Sequence, residues 1–453
     1  MVGHILILAF GFYTLMRMVV KKETCMKPAA HIQSAIEILA EIYHSSAPAD
    51  GIVHTYMRQR RYVGSGDRRQ ILEIVYGVMR QYWLLDGMLS HCWANPGEDP
   101  IQKARRHVLA YLVKLKAEPF VAELFSGDDY APKPLSQAEH DLIANLASLD
   151  NKGLPEAAQL SCPGWIYDCV KESHPDQYRD ILFSLKGSAT VDLRVNTLKG
   201  SREQILAKLR KQGIECQPTP LSPWGIRLTQ RQPLRQHPLL QQGVLEIQDE
   251  GSQLIAWACE AQPGMAVWDY CAGAAGKTLA LAAMMHNKGR IIATDVMEWR
   301  LKNAPQRLRR AGVHNVETRL LDEESGKWLK RQAGKFDCVL VDAPCTGSGT
   351  WRRNPELRWR MSEKGFQEIL QKQREILQKA ALLVKPGGRL VYATCSLLKP
   401  ENRDQITEFL DKNPDFKLHP LSFDFAKEGV LELNPLEHQT DGFFAAVIIR
   451  NKT

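Results

Sequence analysis

The chain has 453 residues, 44% of them hydrophobic and 24% charged, with a formal net charge of +8. That balance is ordinary for globular proteins, the length allows about two to four domains, and the charge excess suits a polyanionic partner without demanding one. Ten cysteines contain no CxxC pair and no Cys/His set at zinc-ligand intervals; this argues against a metal site or a disulfide scaffold and for reduced thiols in a reducing cytoplasm.

Ile5 to Met16 is a short apolar run followed, not preceded, by Arg17 and Lys21-Lys22. It is too short to span a bilayer and lacks the layout of a signal peptide, so no stable membrane insertion is expected. Met18 and Met26 both precede the first well-patterned helix. Residues 1–25 are therefore read as an extension from an over-extended start codon.

Residues 26–125 read as all-helical. Ile32, Ala35, Ile36, Leu39, Ile42 and Tyr43 recur at helical spacing, as do Ile71, Leu72, Val75, Tyr76, Val78 and Met79, and later Val108, Leu109, Tyr111, Leu112 and Leu115. Between the first two sets lie five arginines (Arg58, Arg60, Arg61, Arg68, Arg69), Tyr62 and a Gly64-Ser65-Gly66-Asp67 turn. This is either a phosphate-binding face or a solvated helix end, with Asp67 suited to capping the following helix. Residues 126–160, with Gly127, Pro132, Pro134 and Pro155, read as a linker carrying one helix. Residues 161–250 read as a small α/β unit. Val191–Asn196 alternates like a strand, and the amphipathic Arg202–Gln212 is stopped by Gly213.

From 251 to 453, strands and helices alternate. The strand candidates are Val267–Cys271, Arg290–Asp295, Val316–Leu321, Asp337–Asp342 and Arg389–Thr394. The helices between and after them are Thr278–His286, Glu298–Ala311, Ser362–Val384 and Glu401–Leu410. Such alternation implies an α/β fold with a doubly wound parallel sheet, whose ligands sit past the carboxyl ends of the strands.

Three loops occupy those ends. Cys271, Ala272, Gly273, Ala274, Ala275, Gly276 and Lys277 join the first strand to its helix. The small residues let backbone approach a ligand, but the run is neither a Walker A loop nor GxGxxG. Asp295 ends the second strand and Asp322 follows the third. Acids there suit the ribose of a nucleoside such as S-adenosyl-L-methionine. The other two loops carry Asp342-Ala343-Pro344-Cys345-Thr346-Gly347 and Thr394-Cys395-Ser396, so two thiols and a carboxylate should meet in one crevice. One such thiol is more often filler than nucleophile. Two beside an acid suit methylation of C5 of cytosine: a thiolate adds to C6, the ring becomes nucleophilic at C5, and Asp342 holds N3 and the exocyclic amine.

The two thiol motifs, together with Arg352-Arg353-Asn354-Pro355-Glu356, Leu383–Gly388, Gln248–Gln253, Arg194–Leu198 and His438–Phe444, resemble the RsmB-like (Fmu/Sun) RNA cytosine-5 methyltransferases over residues 160–450. Residues 27–115 resemble the NusB-like RNA-binding domain that precedes the bacterial members. The resemblance implies a class I, Rossmann-like S-adenosyl-L-methionine-dependent methyltransferase domain behind a small α/β RNA-binding subdomain. It implies Cys395 as the C6 nucleophile and Cys345 as the thiol assisting product release. Residues 271–277, Asp295, Asp322 and Asp342 would line the cofactor, and small-subunit (16S) ribosomal RNA would be the substrate of a cytoplasmic, metal-free monomer. Ala274-Ala275 stands where the family usually has Pro-Gly; a positive φ at Ala275 would cost about 1 kcal/mol. Arg352, Arg353, Arg358 and Arg360 with Trp351 and Trp359, and then Arg300, Lys302, Arg307, Arg309 and Arg310, are candidate RNA contacts. Three rival readings remain: a methyltransferase of DNA or a small molecule, one acting on another RNA such as tRNA, and a non-catalytic RNA-binding assembly factor.

Overall fold

The computed structural model describes residues 26–93, 99–232, 234–421 and 423–452, so the reading of 1–25 falls outside the described residues. The chain divides into two units, one made of residues up to Gly164 together with Asn354–Arg360, the other of Trp165–Arg353 and Met361 onward.

The first unit is helical. Its helices are Pro28–His44, Ala49–Gln59, Ser65–Arg80, Tyr82–Cys92, Pro100–Lys114 and Gln137–Ser148, with shorter turns between them. Pro28 opens the first helix, where its missing N–H costs nothing. Ile36, Leu39, Val75, Val78, Val108 and Leu109 from three of these helices form one buried core. Asp67 caps its helix from the third helical position, with Gly64 as the N-cap residue. There its buried carboxylate accepts from the Gly64 N–H at 3.2 Å and meets His31 Nε2 at 2.9 Å. Of the arginine run, Arg60 pairs with Glu37 while Arg58, Arg61 and Arg69 stay exposed beside an exposed Tyr62.

Residues 126–160 differ from the linker reading. Leu142, Leu146 and Leu154 are buried in the helical core, and Arg105 ties the segment down through Glu139. Its prolines shape turns between packed pieces. The unit also takes in Asn354–Arg360. Trp359 stacks on Tyr82 with ring centroids 4.4 Å apart, Glu356 accepts the Ala49 N–H, and Arg360 donates to the carbonyls of Ser45 and Ala47.

The second unit begins with a four-stranded antiparallel sheet. β1 is Val191–Val195, β2 Cys216–Pro218, β3 Gly225–Leu228 and β4 Leu245–Ile247, in the order β2-β3-β1-β4. Helix Arg202–Lys211, boxed by Ser201 and Gln204, packs Ile205 and Leu209 against Leu193, Ile226 and Leu245. Asp192, 1% exposed, receives both arms of Arg227 at 2.7 and 2.9 Å, the fork geometry that best offsets burial of two charges.

The large sheet follows. β5 is Ala266–Asp269, β6 Arg290–Asp295, β7 Val316–Leu320, β8 Phe336–Asp342, β9 Val384–Thr394, β10 Phe416–His419, β11 Leu431–Leu433 and β12 Phe443–Arg450. The order is β10-β12-β9-β8-β5-β6-β7, with β7 through β9 mutually parallel and β12 antiparallel to β9. The chain runs outward from β5 to β7 and returns with β8 on the other side of β5. The β5/β8 boundary is thus a switch point, where such folds open a crevice. β9 starts five residues earlier than the apolar pattern suggests and absorbs Pro386-Gly387-Gly388 through a register shift. A Cβ on Gly388 would lie 2.9 Å from the Phe336 carbonyl oxygen, so only glycine passes there. Helix Glu298–Ala311 is broken after Leu301 and resumes at Ala304, with Pro305 in its new first turn.

Candidate active site

The loop after β5 is shaped by its backbone. The Ala272 N–H donates to the Thr294 carbonyl at 2.7 Å and the Gly273 N–H to Asp295 Oδ2 at 2.9 Å. Ala275 sits at φ 63°, in the left-handed region, just ahead of helix Gly276–Met284. That is the conformation in which an alanine is strained and a glycine is not. The Ala274 carbonyl accepts from Arg307, which also pairs with Glu246. A Cβ on Gly273 would meet nothing within 4 Å, so one face of the loop is open backbone. Cys271 opens the loop; burial, with Asp342 next in weight, pushes its thiol well up and out of nucleophilic range.

Acids end the neighbouring strands. Asp295, 3% exposed, holds both Gly273 and the Met297 N–H at 2.9 Å. Asp269 accepts from Thr278 Oγ1 at 2.6 Å through Oδ2, while its buried Oδ1 has no partner. Burial raises its carboxyl to about 7. Asp322, exposed just after β7, accepts from Ser325 Oγ at 2.6 Å and starts a short helical turn, and these hydrogen bonds lower its pKa.

Across the switch point, Lys277 Nζ donates to Asp342 Oδ2 at 2.6 Å. Burial pulls the Lys277 ammonium pKa down, but the Asp342 carboxylate outweighs it and the pKa is raised.

The two thiols converge. Cys345 Sγ and Cys395 Sγ are 3.4 Å apart, a hydrogen-bond contact and not a covalent bridge. Its hydrogen bond to Cys395, then burial, raise the Cys345 thiol well above the usual range, so Cys345 keeps its proton. The loops carrying them are cross-braced by Glu401, a fully buried carboxylate. It accepts the Thr346 N–H at 2.8 Å, Thr346 Oγ1 at 2.6 Å, Gln373 Nε2 at 3.0 Å and the Ser396 hydroxyl. Burial raises its pKa. The Gly349 N–H donates to the Cys395 carbonyl at 3.0 Å and Asn402 Nδ2 to the Ser396 carbonyl at 2.9 Å. Neither Glu401 nor Asp269 stood out in the sequence. For Asp269 the signal was present, since the strand-end logic that selected Asp295 and Asp342 applies equally to β5.

The tryptophan–arginine stretch is largely engaged within the protein. Trp351 is buried, Arg352 and Arg353 hold the buried Asp441, and Arg353 also holds Asp249. Arg358, 1% exposed, donates to the Ser161 carbonyl, and Trp359 and Arg360 belong to the helical unit as described. In the second group Arg307 and Arg310 pair with Glu246, while Arg300, Lys302 and Arg309 are exposed. Among the described residues no group of three or more His, Cys, Asp or Glu side chains could hold a metal ion, and no helix is long and apolar enough to cross a membrane.

A family model described as 16S rRNA methyltransferase RsmB/F matches residues 256–449, and one for the RsmF/B-like ferredoxin-like domain matches 162–235. A probable ribosomal RNA small subunit methyltransferase B of Synechocystis sp. is 30% identical over 91% of this chain and 98% of its own length. The ribosomal RNA small subunit methyltransferase B of Photorhabdus laumondii is 32% identical over 84% of this chain and 90% of its own. Among solved structures, that of PH0851 has a TM-score of 0.78 at 29% identity, covering 94% of this chain and 100% of that one. A methyltransferase homologue from Pyrococcus horikoshii has a TM-score of 0.58 at 31% identity, covering 67% of this chain and 100% of that one.

Proposed function

The chain belongs to the RsmB/F family of 16S rRNA methyltransferases, and from that premise we propose that this S-adenosyl-L-methionine-dependent rRNA methyltransferase forms 5-methylcytosine in the small-subunit rRNA, with Cys395 as the covalent nucleophile. The observation that carries the cytosine reading is the 3.4 Å approach of Cys345 and Cys395. A single attacking thiol needs no second sulfur in contact with it. A cycle in which one thiol attacks and another assists release does.

The site fits the cofactor. The open face at Gly273 admits a ligand against backbone, Asp295 and the cofactor loop would hold its nucleoside, and the orphaned Oδ1 of Asp269 suits its cationic amino group. When bound, S-adenosyl-L-methionine supplies the electrophilic methyl group. The Cys395 thiolate adds to C6, and the electrons of the C5–C6 double bond move into the ring and make C5 nucleophilic. After C5 is methylated its proton passes to a base, the double bond re-forms and the sulfur leaves. Asp342, held in place by Lys277, accepts from the exocyclic amine and orients the ring. Cys345, in contact with Cys395, serves the release step. The target base must leave its stack to reach these thiols, which favours looped or locally melted RNA. The exposed Arg58, Arg61, Tyr62 and Arg69 of the helical unit, and Arg300, Lys302 and Arg309 of the second, supply the phosphate contacts.

Transfer of labelled methyl to unmodified small-subunit rRNA, with DNA and tRNA in parallel, tests the substrate, and bisulfite sequencing locates the base. Cys395→Ala is expected to lose turnover, and Cys345→Ala to accumulate a protein–RNA adduct, seen as a slow band on a denaturing gel. An adduct from Cys395→Ala instead would reverse the two roles. Label in tRNA or DNA alone would overturn the substrate, and RNA binding without transfer would favour an assembly factor.

A further inference from the structure

A cavity of about 160 Å³ opens beside the loop that carries Cys395. Leu397, two residues past the nucleophile, lines it, as does Phe443 at the start of β12. Cys345 and Cys395 do not line it, so it is not the seat of the target ring. Strand order fixes its place along the edge of the sheet. Next to one another come the cofactor loop after β5, Asp342 after β8, and Cys395 after β9; the cavity follows where β9 gives way to β12. It lies on the side of the thiols away from the cofactor loop.

We propose that this cavity takes a nucleobase adjacent to the target cytosine in the RNA strand, with the neighbouring phosphate against Lys399 and Lys427. The inference rests on the RNA methyltransferase reading above. A strand that delivers one flipped pyrimidine leaves a neighbouring base unstacked, and an unstacked base is recognised by an apolar wall with polar groups at its edges. The cavity has both. Phe443 and Leu397 supply the wall; His174, Asn434 and the Arg403–Glu432 ion pair form its polar edge, with Asn434 and Arg403 also bonded to Glu437 and Glu428. Its volume lies well under the ~300–1,000 Å³ of a drug-sized ligand, so it admits one ring system without its sugar. The side chains of Lys399 and Lys427 are about half exposed; Lys399 meets Asp404 only loosely at 3.7 Å, while Lys427 Nζ donates to Glu437 Oε2 at 2.7 Å, a pair that the phosphate would share. Asn402 lines the cavity and also bonds Thr394 and Ser396, the residues on either side of the nucleophile. An occupant there touches the groups that set the nucleophile's position.

The test uses the full chain and an rRNA transcript with 5-fluorocytosine at the mapped target and 4-thiouridine on its 5′ or 3′ side. Fluorine stands in place of the C5 proton and cannot leave as a cation, so elimination cannot follow methylation, the Cys395 adduct persists, and irradiation then cross-links the flanking base. A cross-link from one flank to peptides containing His174, residues 396–403 or residues 427–434 is expected. Cross-links from both flanks only elsewhere overturn the inference while leaving the methyltransferase reading intact. Absence of any adduct overturns the covalent reading and this inference with it. Separately, Lys399→Glu is expected to raise the KM for rRNA about tenfold, with the KM for S-adenosyl-L-methionine moving far less. An unchanged KM for rRNA overturns the phosphate assignment.

Discussion

The loop that follows β5 is held mainly through its own backbone, whereas the loops that follow β8 and β9 are held to each other through buried side chains. In the first, Ala272 and Gly273 donate main-chain bonds and Ala275 bears a left-handed turn. In the second pair, Glu401 gathers Thr346, Ser396 and Gln373, and Asn402 braces Thr394 and Ser396. The difference follows from what each must do. On the function proposed above, a cofactor cradle needs bare backbone that a ligand can approach, while two sulfurs that serve successive steps on one base must be closely fixed. Buried side-chain bracing is concentrated on the thiol loops, and the cradle is fixed through its main-chain groups.

Breaking the brace should show the largest effect. Glu401→Ala leaves several buried donors unsatisfied, and a loss of about 3–5 kcal/mol in denaturant unfolding is expected. Glu401→Gln should fall between, because one acceptor oxygen remains. A loss under about 1 kcal/mol for the alanine variant would mean that the thiol loops hold themselves.

The cradle should respond to pH instead. Asp269 has a folded pKa of about 7 against 3.8 for the free group. The folded state therefore holds a proton that the unfolded chain has released. Its contribution to stability is full below about pH 4 and is lost as pH rises to about 7. Asp269→Asn should reduce that slope, by an amount on the order of a few kcal/mol, in melts across the range. Cofactor affinity measured by calorimetry should rise through about pH 7 in the parent, as the carboxylate ionises to meet a cationic group, and stay weak and flat in Asp269→Asn. A parallel rise in both proteins would remove Asp269 from the cradle. The smallest expected change is Ala275→Gly, a gain of about 1 kcal/mol because the left-handed strain disappears. A loss on that substitution would show that burial of the Ala275 methyl outweighs the strain.

Much of this architecture was legible as pattern. The apolar runs ending in Asp295, Asp342 and Thr394 marked three of the parallel strands, since such strands are buried on both faces and need no alternation. The thiol motifs at their ends were visible for the same reason. The illegible parts depend on partners remote in sequence. Arg352 and Arg353 look like an RNA surface until Asp441 and Asp249 arrive from elsewhere in the chain. Residues 126–160 look like a linker because their apolar positions are sparse, yet Leu142, Leu146 and Leu154 suffice to fill a core already mostly built. Glu401 looks like an ordinary carboxylate at a helix start. Only folding reveals that it is sealed from water among three donor residues.

The packing of the partly buried Trp359 against the helical core bears on how the protein is made. A ribosome releases the helices up to Gly164 long before it reaches Asn354–Arg360, yet the stack on Tyr82 and the cap on the Ser45 and Ala47 carbonyls need that later segment. The amino-terminal helices must wait, incompletely sealed, through synthesis of most of the second unit. This runs against the usual habit of a nascent chain, in which an early domain closes before the next one emerges.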